Sequence, residues 1–218
     1  MYDILKKNSA FFFPYLLSLL AGTAFLGLWS QTSISLYING HNSAFADFFF
    51  KYWTNVGLGY LILPIALILA FISFRYMLMS VFCFLVTFTV NDSIKYALNT
   101  PRPSMVFEGM HQNFYHVPGV DIYSWDSFPS GHTAIAFGMF CLLALIVNKS
   151  SVKFLFFICA FLVGYSRIYL AEHFLPDVMA ASVIAVTCTI LTFKMFTNWS
   201  AINKFANIDK PLIKLGRK

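Results

Sequence analysis

Charge is what this sequence has least of, and acid least of all. Nine Asp and Glu stand against 15 Lys and Arg in 218 residues, so charged residues make up 11% of the chain, where a soluble domain carries roughly 25%. Stretches 8–46, 52–74, 127–148 and 179–193 contain no Asp, Glu, Lys or Arg at all. With 59% hydrophobic residues and a mean hydropathy of +0.71, an ordinary soluble domain is excluded. Cysteine is also sparse. Cys83, Cys141, Cys159 and Cys188 share no short spacing, so neither a disulfide framework nor a zinc site is indicated. They read as buried apolar thiols. Low-complexity linkers and internal repeats are missing too, which leaves one domain over residues 1–218.

What fills the sequence is apolar runs. A spanning helix needs about 20 predominantly apolar residues, and six stretches qualify: about 11–30, 55–74, 76–97, 131–148, 154–171 and 177–196. The expected fold class is therefore all-α, a polytopic membrane bundle of six helices. The first stretch lacks a small-residue cleavage site and reads as a retained span rather than a signal peptide. Six spans put both termini on one side. That side then holds 11 of the 15 basic residues, among them Lys6, Lys7, Arg75, Lys149 and Lys153, which makes it cytoplasmic. A basic tail over 197–218 would ride on anionic headgroups. This topology explains the net charge of +6 without a nucleic-acid partner. The bilayer is the expected surroundings, and nothing in the sequence sets an oligomeric state.

Two segments face outward. Residues 31–54 carry Phe45, Phe48, Phe49, Tyr52 and Trp53 at helical spacing, as a helix lying in the membrane interface would. Residues 98–130 are rich in Pro, Gly and aromatics, and long loops of this kind tend to carry function. All five histidines, His41, His111, His116, His132 and His173, fall on this side.

Charge at membrane depth costs about 2.5–3.5 kcal/mol per residue even on mild scales, so the charges at the outer ends of the spans need a reason. In "KYALNTPRP", Lys95 closes the third span. Pro101 and Pro103 stop the helix, so Arg102 leaves on a fixed, extended segment. Two such cations suit a phosphate, though Lys95 could equally snorkel and Arg102 cap the helix end. In "FPSGHTA", Ser130 is a candidate N-cap, Gly131 lets a ligand approach the backbone, and His132 sits in the first turn of an anion-attracting helix start. In "SRIYLAEHFLPD", Arg167 ends the fifth span. His173 and Asp177 are four apart, on one face if the segment is helical. Asp177 would then fix the tautomer of His173 and leave its other ring nitrogen a base or nucleophile. Three cations, a helix start and two histidines with one carboxylate suit phosphoryl transfer better than a metal site.

Lys95–x6–Arg102–Pro103, Pro129–Ser130–Gly131–His132 and Ser166–Arg167–x5–His173–x3–Asp177 together resemble the three-part signature of the type 2 phosphatidic acid phosphatase superfamily. Motif order and six-span layout are also similar. The resemblance implies that His173 attacks phosphorus to form a phosphohistidine, Asp177 orients it and His132 is the general acid. Lys95, Arg102, Ser130, Gly131 and Arg167 would hold the phosphoryl oxygens, with Ser166 supporting them. No metal or other cofactor is expected in that family.

The implied activity is a phosphatase for an outer-leaflet lipid phosphate or diphosphate, in the inner membrane of a bacterium, with the site facing outward. Relatives act on undecaprenyl diphosphate, lipid A, phosphatidylglycerophosphate or phosphatidic acid. Two alternatives share the residues: a phosphotransferase passing the group to a lipid or sugar hydroxyl, and a non-enzymatic anion transporter. Clustering of the charges at one end, rather than along a pore, speaks against the transporter. Glu108, His111, His116, Asp121, Tyr123, Trp125 and Asp126 are candidate headgroup readers from their loop position. Glu172 either tunes His173 or lies on a solvated surface.

Overall fold

The computed structural model describes residues 2–198 and 208–211, so most of the tail expected over 197–218 lies outside the described residues. Among the described residues the chain is 76% helix with no strands. The helices run α1 (Tyr2–Lys7), α2 (Ser9–Leu28), α3 (Gln31–Asn39), α4 (Ala44–Trp53), α5 (Ile62–Ala70), α6 (Phe74–Leu98), α7 (Pro103–Gly109), α8 (Gly131–Ile146), α9 (Ser150–Tyr169) and α10 (Leu175–Asn198). Two short 3-10 turns, Thr54–Gly57 and Gly59–Leu61, join α4 to α5.

Four helical stretches, Ser9–Leu28, Phe74–Gly109, Ser150–Tyr169 and Leu175–Asn198, are long and apolar enough to cross a membrane. A fifth arises if Ala44–Gly57 and Gly59–Ala70, bent by 57° at their junction, count as one. The aromatic stretch Phe45–Trp53 is helical, as its spacing anticipates, in α4, and "GHN" separates it from α3. Ser30 Oγ accepts the Ser33 N–H and Ser43 Oγ that of Ala46, which satisfies donors the helix starts would leave open. One expectation is corrected: the stretch expected as a helix over 55–74 is broken, with 3-10 turns at Thr54–Gly57 and Gly59–Leu61 and α5 running only Ile62–Ala70. The stretch expected at 131–148 closes at Ile146, and 16 residues at 1.5 Å each give α8 about 24 Å, short of the ~30 Å hydrocarbon thickness.

That short helix is the centre of the bundle. α8 packs against α6, α9, α10 and the Thr54–Gly57 turn, and most of its residues are buried, as befits a helix apolar all round. Small residues permit the close approach: Ala134, Ala136 and Ala144 are buried on α8. Gly138 faces Thr87 and Thr189, and Gly164 of α9 lies against Val178. The bundle end that carries Arg75 and Lys153 is tied by polar side chains. Arg75 pairs with Asp209 at 2.6 Å, and the buried Lys153 ammonium reaches Asn8 Oδ1 at 2.5 Å and the Lys7 carbonyl at 3.1 Å. Two of the cations counted toward orientation are thus structural ties.

The loop between α7 and α8 is clamped from the α3–α4 side. Asn39 Nδ2 donates to the Tyr115 carbonyl at 2.7 Å while its Oδ1 accepts the Tyr115 N–H at 2.8 Å. Tyr115 and Tyr169 both donate to Asp47, at 2.6 and 2.5 Å, and Lys51 donates to the Pro118 carbonyl at 2.7 Å. Replacing Asn39 by Ala strands the amide groups of Tyr115. The expected loss is about 1–3 kcal/mol, read as a lowered thermal midpoint in detergent. An unchanged midpoint would show that the clamp carries no stability.

Candidate active site

Three chain breaks at one end of the bundle build the site. At the first, α6 ends at Leu98, Asn99 turns left-handed at φ 40°, and Arg102 is extended at φ −83°, ψ 164° with Pro103 opening α7. The prolines deliver Arg102 off the helix, as the sequence anticipates. Its N–H donates to the Ser124 carbonyl, its Nε to the Trp125 carbonyl at 2.8 Å, and its guanidinium lies 5.0 Å over the Tyr123 ring. Lys95 Nζ donates to the Asp126 carbonyl at 2.9 Å. Tyr123, Trp125 and Asp126 therefore seat the two cations, through one ring and two carbonyls. Glu108 and His111 are solvent-exposed, His41 bonds its own helix at Tyr37, and His116 stands edge-on to Phe114. None of these histidines joins the cluster.

The second break is the start of α8. Ser130 occupies the N-cap position, but its hydroxyl makes no capping bond; it accepts from Thr133 Oγ1 at 2.9 Å. The expected N-cap bond is thus absent, and the first N–H groups of α8 are left for another partner. A Cβ on Gly131 would meet nothing within 4 Å, so the helix start is open to a ligand. Behind it the packing is tight. A Cβ on Gly57 would fall 2.7 Å from the His132 carbonyl oxygen and 2.9 Å from its Cβ, so a glycine there sets how His132 is backed.

The third break joins α9 to α10. Arg167 is buried. Its Nη1 donates to Thr54 Oγ1 at 2.7 Å, and its Nη2 lies 3.4 Å from Glu172. Its carbonyl accepts the N–H of both Glu172 and His173, at 3.0 and 3.1 Å, with Ala171 left-handed at φ 60°. Ser166 is buried too, but its hydroxyl donates to the Val163 carbonyl within α9. The turn also corrects the geometry expected for the His–Asp pair. α10 begins only at Leu175, so His173 and Asp177 do not share a helical face. Asp177 is the third residue of α10 and its Oδ2 accepts the Phe174 N–H at 2.9 Å, half of a capping box.

His173 Nδ1 stands 3.6 Å from Asp177 Oδ2, beyond hydrogen-bond reach. Ser127 fills the gap: its hydroxyl donates to Asp177 Oδ2 at 2.6 Å, and its oxygen lies 3.5 Å from His173 Nδ1. The one hydroxyl proton goes to the carboxylate, so the ring nitrogen facing the oxygen is the protonated one. That leaves Nε2 with the lone pair. Sequence reasoning missed Ser127; a serine in an irregular polar loop has no periodicity or charge to mark it. It also left open a solvated role for Glu172, which is 4% exposed and bridges Arg102 and Arg167.

Lys95, Arg102 and Arg167 all bear electrostatically on both His132 and His173. Burial first, and then these cations, hold His173 well below the ordinary histidine pKa. Burial pushes the Glu172 carboxyl up, against the pull of Arg167 and Arg102. Among the described residues no three His, Cys, Asp or Glu side chains are placed to hold a metal ion. The site thus sets an imidazole held toward its neutral form beside three cations and an open helix start, an arrangement chemically suited to an anion.

Comparison with known proteins gives the family. A lipid A 1-phosphatase from Rhizobium johnstonii is 29% identical over 122 residues, 56% of this chain. That match covers 48% of the relative, so the chain spans about half its length. The crystal structure of Aquifex aeolicus LpxE superposes with a TM-score of 0.67 at 29% identity, over 74% of this chain and 93% of that one. The PAP2 type phosphatidylglycerolphosphate phosphatase of Bacillus subtilis shares the fold, at TM-score 0.63 and 22% identity over 94% of this chain and all of that one. The model of the PAP2 superfamily matches residues 75–201, more than half of the chain and all three breaks that build the site, and the chain belongs to that family.

Proposed function

We propose that this membrane protein is a lipid phosphate phosphatase working through a phosphohistidine on His173, and that a lipid A-type phosphomonoester is the first substrate class to test. The observation carrying this is the backing of His173: its Nδ1 faces Ser127 and Asp177, which supports Nε2 as the nucleophile. In the first step Nε2 bonds to phosphorus as the lipid oxygen leaves with a proton from His132. In the second, water gives a proton to His132 and attacks phosphorus, and the P–N electrons return to Nε2. Lys95, Arg102, Arg167 and the Gly131–His132 N–H groups would hold the phosphoryl oxygens, since positioning and charge neutralisation dominate this chemistry. No metal is required by this scheme. The lipid A class follows from the relatives' names, not from any headgroup contact.

The same reading takes six spans, with the bent α4–α5 pair as the second and the short α8 as the fourth. Both termini are cytoplasmic and the site faces outward. From Arg75 at the tied inner end to Lys95 at the site, α6 rises about 30 Å, one hydrocarbon thickness. Because α8 is short, its start can lie below the surface and still be wet. A lipid headgroup would meet it there while the tail stays in the bilayer.

Phosphate release by the detergent-purified protein, with EDTA present, tests this across lipid A, phosphatidylglycerophosphate, phosphatidic acid and undecaprenyl diphosphate. Release from at least one lipid is expected. His173→Ala should abolish it and Ser127→Ala should lower kcat by on the order of tenfold or more. Full activity in a folded His173→Ala protein would refute the assigned nucleophile. The pH profile gives a second check. A histidine of ordinary pKa near 6.5 would lose about tenfold in neutral form by pH 5.5. With His173 held lower, the neutral nucleophile persists there, so kcat/KM should fall much less once the substrate's own ionisation near pH 6 is allowed for. An acid limb of about 6.5 that tracks His173 would contradict its burial.

A further inference from the structure

Glu172 has no part in the scheme above, yet it occupies the middle of the site. It is 4% exposed, and a buried carboxylate is costly unless paired. Here it pairs twice through one oxygen: Oε2 accepts from Arg102 Nη1 and lies 3.4 Å from Arg167 Nη2. Both guanidiniums are anchored elsewhere as well, Arg102 by Nε on the Trp125 carbonyl and Arg167 by Nη1 on Thr54. Arg167 Nε, also buried, has no hydrogen-bond partner among the described residues. A carboxylate between two guanidiniums uses the same fork geometry that a phosphate uses.

Charge decides what this does. At the point Glu172 bridges, Arg102 and Arg167 contribute two positive charges and Glu172 takes away one. The remaining single positive charge meets a phosphate carrying about −1.5 to −2. Without Glu172 the cluster would carry two positive charges and hold inorganic phosphate more tightly. Tight ground-state binding of a product does nothing for the rate.

We propose that Glu172 competes with phosphate for Arg102 and Arg167, so that it sets the site's affinity for inorganic phosphate and speeds release of the product. It acts through the arginines and is a positioning residue. The proposal rests on the phosphatase reading.

Glu172→Gln keeps the shape and one acceptor oxygen and removes the charge. Competitive inhibition by inorganic phosphate, with KM and kcat on a lipid phosphomonoester, separates the possibilities. The Ki for phosphate should fall by about tenfold, with KM falling alongside and kcat unchanged or lower. A merely structural role would leave Ki unchanged or raise it, and either result overturns the proposal. If the Gln protein does not fold, Glu172→Asp serves. It keeps the charge but is one methylene too short to bridge both guanidiniums, and a several-fold lower Ki is expected; an unmoved Ki is again fatal. Wild-type turnover with an unmoved Ki defeats this proposal alone, whereas no phosphate release by wild type defeats the phosphatase reading and this one with it.

Discussion

Arg167 is tied at both ends, and the arrangement of the site follows from how. Its carbonyl takes the N–H groups of Glu172 and His173, and its buried guanidinium reaches Thr54 and Glu172. A guanidinium left unpaired at that depth would cost several kcal/mol. Glu172 offsets part of that cost and draws Arg102 into the same cluster. The left-handed Ala171 turn lets two successive N–H groups converge on one carbonyl, and that convergence fixes where His173 stands. Charge burial and the placement of His173 are therefore one structural fact.

Around this point the bundle assembles three unrelated chain breaks. α8 is the element that allows it, because it touches α6, α9 and α10 at once and starts within the site. Its N–H groups are not consumed by Ser130, whose hydroxyl is turned to Thr133. The Thr54–Gly57 turn closes on α8 from behind, and a side chain larger than hydrogen at Gly57 would strike His132. The α3–α4 side adds the loop clamp at Asn39 and Asp47, which holds the segment that seats Lys95 and Arg102. The site's loop is thus tied to packing two helices away.

Much of this was legible in the residues. Prolines at 101 and 103 announced the end of α6 and the extended Arg102, because their effect is local to the backbone. Apolar run length located the long helices for the same reason. What escaped has non-local causes. The 3-10 turns that interrupt the apolar 55–74 stretch go with the close packing of Gly57 against His132, a contact only the folded chain shows. The spacing of His173 and Asp177 suggested a shared helical face, whereas a turn and Ser127 bring them near each other. Ser127 gave no signal because a neutral hydroxyl in a loop looks like any other. Glu172 beside a histidine read as exposed as easily as buried, since its partner Arg102 lies 70 residues away.

The central claim is that His173 becomes covalently phosphorylated, and the most direct measurement is to catch it. Enzyme quenched in alkali during turnover of a phosphorylated lipid, where phosphohistidine survives, would be digested and sequenced by mass spectrometry. Phosphate on the peptide containing His173, discharged on acidification and absent from His173→Ala, is the expected result. Steady turnover with no phosphate on His173, or with phosphate on His132 instead, would contradict the assignment.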